Sequence, residues 1–364
     1  MKVSSNRLDR QYKAFEKEYL EKVKQVLDSG WYILGNEVKS FEKEFAEYCG
    51  SSYCVGLASG LDALIMAFDV LNIKEGDEVI VPANTYIATV MGITKNGATP
   101  VFVEPTKYYN LDPEKVEAAI TPKTKAICVV HLYGQICDMP AIMEIAKKHN
   151  LYVVEDCAQA HGASINGKKV GTYGDIGCFS FYPTKNLGGF GDGGAITTES
   201  KEIAEQMKML RNYGSRVTYY FETVGYNSRL DELQAGMLRV KLQHLDKLNQ
   251  ERLALAKKYI QGITNPKIKL PEFQFGDEGH IFHLFVIETE NRDELIEYLK
   301  KHDIEIKIHY PQPPHLAEAY KELGFKVGDF PITEHMADHV LSLPIYNEMT
   351  EEEINYVIDV INQY

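Results

Sequence analysis

Apolar residues at positions 8, 12, 15, 19, 23 and 26–27 recur at helical spacing through 7–27, so the chain opens with a helix that has one wet face. Asn36 stands where a second helix, running to Tyr48, would take its cap. The pattern then changes. Short, almost unbroken apolar runs at 78–81, 100–103, 126–130, 151–155, 177–181 and 195–197 alternate with helical stretches near 61–71, 86–95, 113–119, 139–149 and 200–210. Asp112-Pro-Glu114 supplies one stretch with an N-cap and a first-turn proline. Strands apolar on both faces, each followed by a helix, predict an α/β fold with a mostly parallel central sheet covered on both sides.

A long helical pattern from 230 to about 260 leads into a second unit. There the spacing predicts a strand at 280–287, helices near 293–302, 315–322 and 333–340, and a last helix opened by the capping box Thr350-x-x-Glu353. Tyr310-Pro-Gln-Pro-Pro-His315 is too rich in proline to be regular and reads as a structured loop. The expected division is a large domain over 1–245 and a smaller C-terminal α+β domain over 246–364.

The 364 residues can bury a core in each unit. A net charge of −13 argues against non-specific nucleic-acid binding, though local arginines can still hold an anionic small molecule. No apolar run approaches about 18 residues, so no membrane span is expected. Met1-Lys-Val-Ser-Ser-Asn6 lacks an apolar signal core, which points to the cytoplasm. The six cysteines form no Cys-x-x-Cys pair and read as buried free thiols. No metal site is expected, because the pair His280 and His283 is spaced to suit a strand better than a ligand helix.

The chemistry concentrates around Lys185. One lysine after a strand is by itself an ordinary surface residue. Here it is set in Phe179-Ser-Phe-Tyr-Pro-Thr-Lys185 and followed by glycines at 188, 189, 191, 193 and 194, which let a flat ligand or another backbone come close. An amine so enclosed can shed its proton and attack an aldehyde. Asp156 ends an apolar strand, where open α/β sheets place their ligands. It reads either as a turn acid or as the carboxylate that keeps a ring nitrogen protonated. Gln159 lies within reach of the same ring. Ser59-Gly60-Leu61-Asp62 opens a helix, so its free N–H groups can cup a phosphate, with Ser180 adding a hydroxyl; Ser-Gly also starts many ordinary helices. Tyr86, after Pro82-Ala-Asn-Thr, can stack on a planar ring or serve as core.

Together these segments resemble the DegT/DnrJ/EryC1/StrS family of sugar-nucleotide aminotransferases, which use pyridoxal 5′-phosphate on the aspartate aminotransferase (type I) fold. The likeness spans essentially the whole chain. It includes Trp31-Tyr-Ile-Leu-Gly35, Ala58-Ser-Gly-Leu-Asp-Ala-Leu64, Glu155-Asp-Cys-Ala-Gln-Ala-His-Gly162, Ser180-Phe-Tyr-Pro-Thr-Lys-Asn186, Gly191-Asp-Gly-Gly194 and Gly225-Tyr-Asn-Ser-Arg-Leu-Asp-Glu-Leu-Gln-Ala235. The resemblance implies that Lys185 attaches the cofactor and moves the substrate proton, that Asp156 pairs with the pyridine nitrogen, and that Gln159 meets the ring hydroxyl. It implies stacking by Tyr86 and a phosphate held by Ser59, Gly60, Leu61 and Ser180. Many relatives have threonine at the position of Leu61, so a hydroxyl contact is absent here. Asn227 is similar to an asparagine that reaches the neighbouring subunit's phosphate site, which implies a homodimer.

Within the family, His131-Leu-Tyr-Gly-Gln135 and Asn212-Tyr-Gly-Ser-Arg216 look closest to enzymes that aminate C3 of a dTDP-linked 3-keto-6-deoxyhexose, with glutamate as donor. Such enzymes make amino sugars for surface glycans or antibiotics. Arg216, Tyr219, Arg229, His309 and Tyr310 are candidates for binding the nucleotide sugar, and each reads equally well as a structural contact. A C4 aminotransferase shares most of the scaffold. A sugar dehydratase is disfavoured because such relatives carry histidine in place of the lysine. A non-catalytic regulator of the same fold would bring a DNA-binding segment, which neither end of the chain shows. A dinucleotide-dependent dehydrogenase is disfavoured because the glycines precede a strand rather than a helix.

Overall fold

The computed structural model describes residues 1–364. Seven strands form one sheet in the order Tyr53–Leu57, Gly194–Thr198, Ile176–Ser180, Tyr152–Asp156, Thr124–Val130, Glu78–Pro82 and Thr99–Val103. Gly194–Thr198 alone runs against its neighbours. The other contacts are parallel. Side chains alternate across the strands, so each strand feeds both cores. Ile80, Ile127, Val129 and Val153 face one core with Phe41, Phe45, Phe179 and Phe181. Val79, Val81, Ala126, Cys128 and Val154 face the other with Leu64, Met66 and Phe68. The expected α/β sheet, covered on both faces, is what the chain builds.

The helical patterns at 7–27 and 230–260 are each broken once. The first gives Leu8–Ala14 and Glu16–Ser29, and the second gives Glu232–Leu242 and Leu245–Gly262. The two breaks meet. Phe15 stacks on His244 with ring centroids 4.2 Å apart, and His244 Nε2 lies 3.1 Å from Glu18. Periodicity reports a buried face but is blind to a kink made by a partner elsewhere in the chain.

The helix at Asn36–Cys49 corrects a second expectation, since Asn36 is its first residue and not its cap. The Glu232 carboxylate does that work from 197 residues along the chain. It accepts from the N–H groups of Gly35 at 2.7 Å, Glu37 at 2.8 Å and Val38 at 3.0 Å. A negative group also suits this end of the helix dipole.

In the C-terminal part the strand expected at 280–287 narrows to Phe285–Glu288, which pairs antiparallel with Val340–Leu343. Residues just before it are claimed instead by the 3₁₀ turn Leu132–Gly134 of the large domain. Ile281 N–H donates to Gly134 C=O at 3.0 Å, and Leu284 N–H to Tyr133 C=O at 3.1 Å. The helix expected near 333–340 is Pro331–His339, and the β-prone Val-Leu-Ser-Leu takes over at Val340. The segment 315–322 forms 3₁₀ turns at Pro314–Leu316 and Glu318–Leu323, not an α-helix. The capping box at Thr350 and Glu353 is formed in both directions. Val3 is buried in this C-terminal core, its N–H bonded to Asp303 C=O at 2.9 Å, so the chain's first residues pack with its last third. All six cysteines are buried and unpaired. No helix is long and apolar enough to cross a membrane.

Replacing Glu232 with alanine leaves three amide donors at a largely buried helix end unanswered. The expected loss is about 3 kcal/mol, read as a lower urea midpoint with an unchanged slope.

Candidate active site

Asp156 is the last residue of its strand, in register with Val130 on one side and Cys178 on the other. Its backbone carbonyl accepts from His131 N–H at 3.1 Å. The residue before it, Glu155, is fully buried and braces this strand end. Its carboxylate accepts from the N–H groups of Gly171, Tyr173 and Gly174, each at 2.8 Å, and lies 3.1 Å from His131 Nε2. Because His131 Nδ1 accepts from Cys137 N–H at 3.0 Å, Nε2 carries the ring proton that Glu155 receives. The Asp156 carboxylate accepts only twice, from Thr89 Oγ1 at 2.8 Å and Ala158 N–H at 3.1 Å. Burial raises its pKa against the pull of those two bonds and of Lys185. Thr89 is in turn 2.7 Å from Thr85.

Lys185 sits in a loop closed by Phe181 N–H to Gly193 C=O and Gly189 N–H to Phe181 C=O, both 2.8 Å. Asn186 anchors that loop from beneath, donating to Asn249 Oδ1 at 2.8 Å. The lysine amine has no carboxylate within ion-pair distance. Burial lowers its pKa to about 8, and the Asp156 charge resists that fall. At pH 7 about a tenth of such an amine is unprotonated, far more than of an ordinary lysine, and that fraction is nucleophilic.

The wall opposite comes from both halves of the molecule. Gln159 is gripped at both ends, accepting from Tyr133 N–H at 2.6 Å and donating to Tyr310 Oη at 2.9 Å. Tyr133 donates its own hydroxyl to the His309 carbonyl. The Tyr310 ring lies 5.2 Å from that of Tyr86, tilted by 34°. Tyr86 remains 52% exposed, with a face open to a ligand. His309 Nδ1 is 2.8 Å from Ser342 Oγ, and burial pushes its pKa down to about 4.

The phosphate-cup residues also converge. Ser59 caps the helix Gly60–Val70, accepting from Asp62 N–H at 3.1 Å, while the N–H groups of Gly60 and Leu61 have no partner within the chain. A Cβ on Gly60 would stand 2.6 Å from Ser180 Cβ, and one on Gly194 would strike the Ser59 carbonyl. Only glycine allows three backbones to meet so closely.

The remaining candidates lie apart. Arg216 is on an exposed hairpin, ion-paired to Glu222, and Tyr219 on the same hairpin is 85% exposed. Asn227 is exposed, its backbone bridged to Asn212. Arg229 donates to Asn212 Oδ1 at 2.9 Å and stands over the Tyr213 ring. None of the four touches Lys185 or Asp156 within one chain. Sequence reasoning missed Thr85, Thr89 and Tyr133. The i, i+4 threonine pair beginning in Pro82-Ala-Asn-Thr-Tyr86 was the available signal for the first two. Tyr133, at φ 60°, had none.

The sequence pattern of the DegT/DnrJ/EryC1/StrS aminotransferase family matches residues 13–362. A dTDP-3-amino-3,6-dideoxy-α-D-galactopyranose transaminase of Aneurinibacillus thermoaerophilus is 53% identical over 351 residues, covering 96% of each chain. The crystal structure of DesV from S. venezuelae, in complex with a ketimine intermediate, superposes with a TM-score of 0.97 at 47% identity, over 100% of this chain and 98% of that one. NtdA of Bacillus subtilis, with bound cofactor PMP, superposes with a TM-score of 0.93 at 32% identity, over 100% of this chain and 85% of that one.

The Lys185 amine is protonated below its pKa and free above it, so acylation of this residue in the cofactor-free chain is expected to reach half its maximal rate near pH 8 and not near the ordinary 10.5. Asp156→Asn removes the charge that favours the cation, so the midpoint moves to lower pH. Peptide mass spectrometry across a pH series checks both, and a midpoint near 10 contradicts the geometry.

Proposed function

The chain belongs to the DegT/DnrJ/EryC1/StrS aminotransferase family, and on that footing we propose that it is a pyridoxal 5′-phosphate-dependent transaminase that moves an amino group from glutamate to C3 of a dTDP-3-keto-6-deoxyhexose, giving a dTDP-3-amino-3,6-dideoxyhexose. The observation that carries this reading is the Lys185 amine, enclosed beside Asp156 with no carboxylate bonded to it. The 53% identity to a transaminase named for a 3-amino sugar supports the C3 assignment.

The residues present fit the cofactor. The unpartnered N–H groups of Gly60 and Leu61, with the hydroxyls of Ser59 and Ser180, suit its phosphate. The open face of Tyr86 suits its ring, and Asp156, with acceptor capacity to spare in an apolar setting, suits its ring nitrogen. When bound, the cofactor supplies an aldehyde carbon that takes the amino group and a pyridinium that accepts the electron pair left by deprotonation.

Lys185 Nζ takes a proton from the donor's carbon and returns one to the sugar's. With a pKa of about 8, both its forms are populated near neutral pH, as a group that must accept and then donate requires. Asp156, when charged, would pair with the ring nitrogen and favour the protonated ring. Gln159, fixed between Tyr133 and Tyr310, holds its amide for the ring hydroxyl.

His309 and Tyr310 lie on the wall where the sugar nucleotide would enter. Asn227, Arg216 and Tyr219, on exposed surface, and the half-buried Arg229 would serve the site of a second copy in a homodimer. The neighbouring exposed Tyr220, Phe221 and Trp31 support that arrangement. With the first residues packed on the smaller domain through Val3, the division at 245/246 would place His309 and Tyr310 on that domain and Lys185 and Asp156 on the large one. Six unpaired buried thiols support a reducing, cytoplasmic setting.

Incubated with glutamate and a panel of dTDP-3-keto and dTDP-4-keto-6-deoxyhexoses, the purified protein is expected to aminate the 3-keto sugars, seen by mass. Amination of 4-keto sugars alone overturns the C3 assignment; no amination at all overturns the transaminase. Lys185→Ala is expected to lower turnover by at least about 10³-fold.

A further inference from the structure

The helix Pro331–His339 has a working face and an unexplained one. Thr333, Met336 and Ala337 line a cavity with Asn84, Tyr133 and Tyr310. The other face carries His335 and His339, one turn apart, with stacked rings 3.9 Å between centroids. His339 Nδ1 lies 2.7 Å from the His335 carbonyl, and because a carbonyl can only accept, the ring proton sits on Nδ1. That leaves Nε2 with its lone pair outward, the state that a backbone partner enforces on metal-binding histidines. His339 Nε2 lies 3.4 Å from Glu290 Oε2, and His335 Nε2 lies 3.1 Å from Glu288 Oε1. The donor atoms of Glu290, His335 and His339 all fall within 4.8 Å of one another.

We propose that Glu290, His335 and His339 bind a divalent transition-metal ion of the zinc class, with water completing the coordination sphere, on the outer face of the helix that walls the active-site cavity. Two imidazoles with one or two carboxylates form a zinc donor set, and tetrahedral donors about 2.1 Å from zinc stand roughly 3.4 Å apart. The His339–Glu290 separation already has that value and all three donors lie within 4.8 Å of one another, so side-chain rotations complete the site. The backbone already holds the parts together. Thr289 N–H donates to the His339 carbonyl at 3.1 Å, and the Arg292 guanidinium to the Ala337 carbonyl. The cation beside the cluster, Lys269, is occupied by the far oxygen of Glu288 at 3.0 Å. The helix and the segment after Phe285–Glu288 are thus clamped from outside, while the inner face of the same helix shapes the cavity beside Tyr310. His335 and His339 stand at i, i+4 in the sequence, but their carboxylate partner precedes them by a helix and two 3₁₀ turns, and the Phe285–Glu288 and Val340–Leu343 pairing brings the two together.

The cofactor-loaded full chain, freed of metal with EDTA and titrated with zinc chloride by calorimetry, is expected to bind one zinc per chain with micromolar or tighter affinity, and its thermal midpoint to rise with zinc. Magnesium chloride is expected to do neither. The double variant His335→Gln, His339→Gln is expected to lose the thermal response and at least tenfold in affinity, with Glu290→Gln weakening binding in the same direction. Turnover in EDTA stays at the unsubstituted value in both. Absence of saturable binding, or equal affinity in the double variant, overturns the proposal.

Discussion

An amine and a carboxylate share one desolvated space without closing into an ion pair. Burial drives Lys185 and Asp156 toward neutrality, and each opposes the other's drift by favouring its charged form. Were they in contact, the lysine would be a locked cation and a poor nucleophile. Were they far apart, burial would decide each alone. The chain holds the intermediate case by fixing the two on separate supports. Asp156 is tied through the Thr89 and Thr85 hydroxyls and through the Glu155 brace. Lys185 is tied through its loop and through Asn186 to the long helix Leu245–Gly262.

Two kinds of constraint therefore meet at the site. Strand ends supply position, because parallel pairing fixes which residues reach the sheet's edge. Hydrogen bonds between the two halves supply closure, as in the run from Tyr133 N–H through Gln159 to Tyr310, and from the Tyr133 hydroxyl to His309. The Gln159 amide spends both its ends in that run. Substituting it would loosen the wall as well as remove the contact proposed for the ring hydroxyl.

What could be read in the sequence had local causes. The unbroken apolar runs gave the parallel strands, Asp112 and Thr350 gave their helix starts, and the lysine among glycines gave the chemistry. What could not be read came from distant partners. Glu232 caps a helix whose own Asn36 looked sufficient, and Phe15 and His244 break two regular patterns by stacking on each other. The 280–284 stretch is apolar enough for a strand, yet its N–H groups at Ile281 and Leu284 were taken by Gly134 and Tyr133. In each case propensity was sound and tertiary pairing outweighed it.

The substrate residues pose a different problem, one of charge. Arg216 and Arg229 are both offered to an anionic nucleotide, but they are not equivalent. Arg216 is already neutralised by Glu222, so a diphosphate would have to displace a carboxylate to engage it. Arg229 is held only by the neutral Asn212 amide oxygen and the Tyr213 ring, which orient the guanidinium without cancelling its charge. In a chain of net charge −13, a guanidinium positioned yet uncompensated is the rarer feature. In the proposed homodimer Arg229 is therefore better suited than Arg216 to the diphosphate of the proposed substrate. Arg216 is better suited to ordering the hairpin that carries Tyr219.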